Sequence, residues 1–158
     1  MNAPRTFLDL ESRLALAEDA AAIETFIAPV AGRLHSQSPG AAGVIEDDGT
    51  RWIEVHPAAD PEQTYVVRLI WQTYPHAAPS VTFVPEVGGC PGNMAVWPSI
   101  PGYRAPSDIC MPFTAEGYAL HPEWTTGPQA WDQTGNPFLR VVTQIQDDLD
   151  NRYQGRAA

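Results

Sequence analysis

Apolar positions near the start of the chain follow the period of a helix. From residue 6 to about residue 28, apolar side chains recur every three or four positions, which predicts one helix or two consecutive ones. Thr6 followed by Asp9 resembles a capping box, and Pro29 is expected to kink or end the helical segment. The predicted apolar stripe comprises Phe7, Leu10, Leu14, Ala17, Ile23, Phe26, Ile27 and Val30.

A second helical pattern lies near the end of the chain. Asn136 is a favourable N-cap, and Pro137 is a favourable first helical residue. Arg152 and Gly155 suit the C-terminal end of such a helix. The apolar face of this predicted helix carries Phe138, Val142, Ile145 and Leu149.

Between the two helical patterns, apolar and polar positions alternate with the period of a strand. The alternating segments are residues 44–46, 51–55, 65–71 and 80–84. Asp48-Gly49, between the first two segments, is typical of a hairpin turn. Four short strands at this spacing predict an antiparallel meander. The expected fold is therefore α+β, with helices packed on one face of a four-stranded sheet.

Residues 85–136 follow neither period. A segment of this length without regular structure is unusual in a compact domain and is frequently functional. The segment is rich in proline, but it has too many large apolar side chains for a linker, so we expect an ordered loop packed on the domain. Its large apolar residues are Trp97, Ile100, Tyr103, Ile109, Met111, Phe113, Tyr118, Trp124 and Trp131.

Composition limits the classes of partner. The 158 residues predict a single domain over 1–158, and 44% hydrophobic with 18% charged residues is typical of a globular chain. Nine basic against nineteen acidic side chains give a net charge of −10, which argues against nucleic acid and anionic membranes as partners. No apolar run approaches the length of a membrane span, and the N-terminus lacks the apolar core of a signal peptide. The expected location is the cytoplasm.

All nine basic residues are arginine, and the sequence contains no lysine. A GC-rich codon usage is one explanation, and the sixteen prolines agree with it. A second explanation depends on the chemistry of the protein and is given below.

The two cysteines, Cys90 and Cys110, are too far apart for a C-x-x-C pair. Together with the four histidines they make no metal-ligand spacing, and no phosphate-binding loop is present, so we expect neither a metal nor a cofactor. A free cysteine is most often a small buried hydrophobe, and this interpretation is open for both residues. His121 follows Cys110 in the same loop, so a nucleophilic Cys–His pair is an alternative.

The stretch Tyr74–Phe83 reads Tyr-Pro-His-Ala-Ala-Pro-Ser-Val-Thr-Phe. It resembles the Y-P-x-x-x-P-x-V-x-F turn and strand of ubiquitin-conjugating enzymes. In that family an N-terminal helix precedes a four-stranded meander, and a long loop then carries the active cysteine in a pattern like G-x-I-C-L-D, before a Trp and a helix. Ser107-Asp108-Ile109-Cys110-Met111 lies at that place and Trp124 follows it. The resemblance covers roughly residues 40–152.

The resemblance implies that Cys110, rather than Cys90, is a nucleophile. It would accept the C-terminal acyl group of a ubiquitin-like protein from the thioester of an activating enzyme and pass that group to an amine. Such a carrier needs an exposed thiol but no strong base beside it. The absence of lysine then acquires a functional explanation, because the carrier offers no side-chain amine to its own thioester.

The sequence departs from the family in its active-site loop and its helices. The usual His-Pro-Asn before the cysteine is replaced by Trp97-Pro98-Ser99, and Ser99 and His121 are the candidates for the role of that Asn. The family's last two helices have no counterpart. These features resemble minimal bacterial members that are encoded with an adenylating enzyme, a ubiquitin-like protein and a metalloprotease, often in anti-phage operons. The alternative is an inactive variant or an RWD-like adaptor that only binds partners.

The predicted first helix is acidic, whereas in the family it is often basic and commonly contacts the activating enzyme. A partner that docks there is therefore expected to present a basic surface. The charged residues of this segment are Asp9, Glu11, Glu18, Asp19 and Glu24 against Arg13.

Overall fold

The structure is a computed structural model that describes residues 7–30, 32–36 and 47–157. Its helices are α1 (Leu10–Ile27), α2 (Ala115–Leu120) and α3 (Pro137–Asn151). Its strands are β1 (Arg33–His35), β2 (Thr50–Val55), β3 (Tyr65–Ile70), β4 (Ser80–Val84), β5 (Tyr103–Arg104) and β6 (Asp108–Ile109). Short 3₁₀ turns cover Ala28–Val30, Met94–Val96 and Pro122–Thr125.

Strands β1 to β4 form one antiparallel sheet in the order of the sequence. The core face of this sheet carries a row in which Ile53 lies opposite Val67, and Val67 opposite Phe83. These side chains share one buried cluster with Leu16 of α1 and Phe138 of α3, so both long helices cover the same face. The predicted α+β arrangement of helix, four-stranded antiparallel sheet and helix is confirmed.

Helix α1 buries only part of the predicted apolar stripe. Its core side chains are Leu16, Ile23 and Ile27, of which Ile23 and Ile27 belong to that stripe. Four other members of the stripe, Phe7, Leu10, Leu14 and Phe26, are instead 41%, 61%, 63% and 38% exposed, and Ala17 is exposed as well. The prediction was wrong for these five residues because apolar side chains occupy several sides of this alanine-rich helix. Periodicity alone does not select the side that meets the sheet.

The start of α1 is fixed by Asp9. Its carboxylate accepts the backbone N–H of Ser12 at 2.7 Å, which makes Asp9 the N-cap and lowers the pKa of its carboxyl. The helix therefore begins at Leu10 and not at residue 6, while Thr6 lies outside the described residues. Pro29 falls in the 3₁₀ turn directly after the helix, in agreement with the predicted end.

Strand β1 pairs with the edge of β2 that faces away from β3, and the sequence did not predict this strand. Leu34 of β1 lies opposite Ile53 of β2. The predicted strand 44–46 is outside the described residues. Asp48-Gly49 forms a turn that leads into β2: Gly49 has φ +80°, and its carbonyl accepts the N–H of Trp71 at 2.9 Å. A Cβ at Gly49 would lie 1.9 Å from the Trp71 carbonyl oxygen, so the glycine signal has a packing cause.

Helix α3 has the predicted N-terminus and the predicted apolar face. The Asn136 side chain accepts the N–H of Leu139 at 2.9 Å and donates to the Asp19 carbonyl of α1 at 3.0 Å. The four residues of the predicted face, Phe138, Val142, Ile145 and Leu149, are at most 1% exposed. The cap therefore starts α3 and also ties it to α1.

Residues 85–136 form an ordered segment, as predicted, with short elements that the sequence pattern did not reveal. Strands β5 and β6 pair as a two-stranded hairpin, and α2 follows. Trp97 and Ile109 are fully buried in the main core, and Tyr103 is 8% exposed. These aromatic and aliphatic anchors hold the segment against the sheet.

Candidate active site

Cys110 lies directly after β6, at the end of the small hairpin. Its side chain is half-buried. Its backbone N–H donates to the Gly102 carbonyl at 2.8 Å, which fixes the residue against the start of β5. Among the described residues, no hydrogen bond is made by its thiol. The sulfur is thus held by a rigid backbone but is not engaged by a neighbouring base.

Two glycines make room for the residue that follows the cysteine. Gly102 has φ +90°, and a Cβ there would lie 2.7 Å from the Met111 sulfur. Gly117 in α2 approaches the Met111 backbone so closely that an added Cβ would lie 2.1 Å from the Met111 carbonyl oxygen. Helix α2 can therefore pack on the Cys110–Met111 backbone only because residue 117 has no side chain.

Thr114 connects β6 to α2 from inside the protein. Its fully buried hydroxyl donates to the Ile109 carbonyl at 2.6 Å and accepts the N–H of Gly117 at 2.9 Å. The first bond holds the backbone just before Cys110, and the second caps α2. One side chain thus sets the helix relative to the candidate nucleophile.

The Tyr-Pro turn and β4 support the same region from the other side. Ala115 N–H donates to the Pro79 carbonyl at 2.8 Å. The Glu116 carboxylate accepts the Ser80 hydroxyl at 2.8 Å and the Val81 N–H at 3.0 Å. The motif residues that carry the family resemblance therefore contact the helix that packs against Met111.

A buried hydrogen bond anchors the hairpin to α3. The Tyr103 hydroxyl donates to Asp148 at 2.8 Å. Burial, with the adjacent Asp148 carboxylate, raises the pKa of Tyr103 well above its ordinary value, and burial also raises the pKa of Asp148. The pair fixes the Cys110 hairpin on the C-terminal helix.

Arg104 forms an ion pair on the hairpin that leads into Cys110. Its guanidinium makes a two-bond pair with Asp108, with both N···O distances at 2.7 Å. These hydrogen bonds raise the pKa of Arg104. The pair joins β5 to β6 directly before the candidate nucleophile.

His121 is engaged away from Cys110. Its Nδ1 lies 2.9 Å from a Glu123 carboxylate oxygen, and its ring stacks on Trp124 with a centroid separation of 4.1 Å. Over the described part of the chain, no hydrogen bond or ion pair joins His121 to Cys110. The structure therefore gives no support to a preformed Cys–His pair.

Ser99 and Cys90 also stand apart from the thiol. The backbone of Ser99 bonds to the C-terminal segment through Gly155 and Gln154. Cys90 is exposed in the turn after β4, where it interacts electrostatically with Arg68. The structure brings neither residue into a hydrogen bond with Cys110.

Within residues 7–30, 32–36 and 47–157, no group of three or more His, Cys, Asp or Glu side chains could hold a metal ion. In the same ranges, every helix is too short or too polar to cross a bilayer.

No protein-family model, curated protein or solved structure matches this chain. The resemblance to ubiquitin-conjugating enzymes therefore rests on the Tyr-Pro motif, on the order of the elements and on the position of Cys110.

Proposed function

We propose that the protein is a cytoplasmic carrier of a ubiquitin-like protein, with Cys110 as the residue that holds the acyl group as a thioester. The observation that carries this proposal is the environment of Cys110, which is half-buried, fixed through its backbone and free of a hydrogen-bonded base. A cytoplasmic location would keep the thiol reduced. The proposal includes a role in a bacterial anti-phage conjugation system.

The partial exposure of Cys110 favours this proposal over a binding-only adaptor. An adaptor has no use for an accessible sulfur, and burial of Cys110 behind Trp124 would have favoured it. The Trp124 ring instead contacts Tyr118 and His121, and the Cys110 side chain keeps partial access to solvent. Fold alone does not imply activity, so the accessible thiol is the feature that supports a carrier.

The proposed chemistry consists of two acyl transfers. In the first, the Cys110 thiolate attacks the thioester carbonyl on the activating enzyme, a new S–C bond forms, and the activating enzyme's thiolate leaves. In the second, an amine attacks the Cys110 thioester, an amide forms, the Cys110 thiolate leaves, and solvent takes the proton from nitrogen. No strong resident base is required for either step.

The proposal is tested by searching the neighbouring genes for an adenylating enzyme and a ubiquitin-like protein and by reconstituting this chain with them. A carrier gives an ATP-dependent adduct that disappears on thiol reduction and on addition of hydroxylamine. An adaptor gives complex formation without a covalent product, and that result would overturn the proposal.

The absence of lysine predicts that the charged carrier does not label its own side chains. Self-transfer is fast only when an amine is held near the thioester, and this chain has no lysine side chain to supply one. The charged form should decay by hydrolysis or transfer to added amines, and reducing gels should show no residual adduct.

The matched variant for this prediction is Arg104→Lys. It introduces one amine on the hairpin that carries Cys110, and a lysine can keep an ion pair with Asp108. We expect a reduction-resistant adduct in this variant alone. A resistant adduct of the parent chain would indicate transfer to the N-terminus or a hydroxyl, and would leave codon usage as the explanation for the missing lysines.

The exposed stripe on α1 predicts where the activating enzyme docks. Phe7, Leu10 and Leu14 are exposed, and acidic residues flank them, so a partner with an apolar centre and a basic rim is complementary. Leu14→Glu should reduce the charging rate by about tenfold, the range expected for a central interface residue. Charging should also slow as ionic strength rises.

Ala22→Glu is the matched control for Leu14→Glu. It adds the same charge to the same helix at an exposed position about two turns beyond Leu14. Equal charging rates for the two variants, or rates that do not respond to salt, would contradict docking through a charged α1 surface.

A further inference from the structure

The C-terminal segment, residues 153–157, folds back on the loop that leads to Cys110. Gly155 O accepts the Ser99 N–H at 2.7 Å, and Ser99 O accepts the Gln154 N–H at 2.9 Å. The Ala157 N–H donates to the Trp97 carbonyl at 2.9 Å. The two stretches therefore pair as short antiparallel strands, with Pro98 facing Arg156.

Arg156 holds this segment through its side chain. Its Nη1 donates to the Ala95 carbonyl at 3.0 Å, while Nε and Nη2 donate to the Gln63 side-chain oxygen at 3.1 and 2.7 Å. The guanidinium carbon lies 4.4 Å from the centre of the Tyr65 ring. Arg156 thus joins the C-terminal segment to the 3₁₀ turn before Trp97 and to the sheet. An arginine can do this because its guanidinium is planar and carries several donors.

A short path of contacts leads from the paired stretch to Cys110. Ile100, next to Ser99, is only 4% exposed, and its carbonyl accepts the Tyr103 N–H at 3.0 Å. The turn closed by this bond contains Gly102, whose carbonyl accepts the Cys110 N–H at 2.8 Å. Movement of residues 97–99 would therefore be transmitted to the backbone of Cys110.

We infer that residues 153–157 position the Cys110 loop and that Arg156 is the positioning residue of this device. The inference rests on the proposed function for the role of Cys110 as a nucleophile. Release of the segment removes three backbone hydrogen bonds from residues 97–99 and frees the Gly102 turn. The half-buried thiol then becomes more accessible, while the geometry needed for acyl transfer is lost.

The test measures the rate at which iodoacetamide alkylates Cys110 in the full chain. A Cys90→Ser background leaves Cys110 as the only thiol. In this background, Arg156→Ala should raise the alkylation rate by about threefold or more, which is the lower part of the range for one net hydrogen bond. Arg156→Lys keeps a cation over Tyr65 but not the multi-donor geometry, and should fall between the parent and Arg156→Ala.

Arg140→Ala is the matched control. Like Arg156, Arg140 is an arginine that ties a loop through its guanidinium, but the loop is a different one. It donates to the backbone carbonyls of Asp132 and Thr134, both at 2.7 Å. It should leave the alkylation rate of Cys110 unchanged. An unchanged rate in Arg156→Ala, or an equal rise in Arg156→Ala and Arg140→Ala, would overturn the inference.

Charging assays on the same variants separate this inference from the proposed function. Faster alkylation with slower charging in Arg156→Ala supports both. Faster alkylation in Arg156→Ala, together with a parent chain that is never charged, supports the positioning role and overturns the carrier function. Unchanged alkylation in Arg156→Ala, together with a parent chain that charges normally, overturns the positioning role and supports the carrier function.

Discussion

Cys110→Ala should abolish formation of the adduct with a ubiquitin-like protein, because it removes the only thiol in the β6–α2 region. Cys110→Ser should either form no adduct or form an oxyester that survives thiol reduction, since an alkoxide is a poorer leaving group than a thiolate. Non-reducing and reducing gels of the charging reaction measure both effects. Among substitutions at single side chains, this one is expected to have the largest effect on activity.

Cys90→Ser is the control for this prediction. It removes the other thiol, which is exposed and lies in the turn after β4, and it should charge at the rate of the parent chain. An adduct that persists in Cys110→Ala, or that is lost in Cys90→Ser, would move the nucleophile away from Cys110.

Gly117→Ala should have a large effect on stability. Helix propensity alone favours alanine over glycine by about 1 kcal/mol, which would stabilise α2. The close approach of α2 to Met111 opposes this, because an added Cβ would lie 2.1 Å from a backbone oxygen that cannot move without shifting Cys110. Overpacking of this kind costs up to about 3 kcal/mol, so the clash should win. We expect a lower midpoint of thermal unfolding and a slower charging rate.

Ala119→Gly separates propensity from packing. Ala119 is exposed on the same helix, so this substitution should cost only the propensity difference of about 1 kcal/mol. A Gly117→Ala chain that is as stable as the parent, or more stable, would show that α2 does not pack on the Met111 backbone as described.

Local sequence signals predicted the elements that have strong boundaries and a single buried face. Helix α3 begins where Asn136 and Pro137 indicated, and its apolar face is buried. Strands β3 and β4 also lie where alternation placed them, within one residue at the end of β3. In these segments, caps and periodicity agree with the tertiary contacts, so the local sequence pattern was enough to locate the elements.

The remaining features depend on contacts between distant parts of the chain. Strand β1 has three residues, which is too short for alternation to identify it. The outward face of α1 carries apolar as well as acidic side chains, so the pattern could not select the buried side. The pairing of residues 153–157 with 97–99 joins two irregular stretches and leaves no periodic signal.

The candidate site was predicted in part. The position of Cys110 in an ordered loop before Trp124 followed from the Tyr-Pro motif and the order of the elements. The supporting residues Gly102, Thr114 and Gly117 were missed, because a glycine or threonine in an irregular segment has many causes in a single sequence. The one sequence signal for close packing of α2 on the Met111 backbone was Gly117, a lone glycine in the short helical stretch after Cys110.

Formation of a thioester at Cys110 can be measured by mass spectrometry of the charged chain after digestion under mildly acidic, non-reducing conditions. We expect the C-terminal residues of the ubiquitin-like protein to be attached to the peptide that contains Cys110, and hydroxylamine to release them. An acyl group found on any other residue, or a Cys110 peptide that stays unmodified while the ubiquitin-like protein is consumed, would contradict a thioester at Cys110.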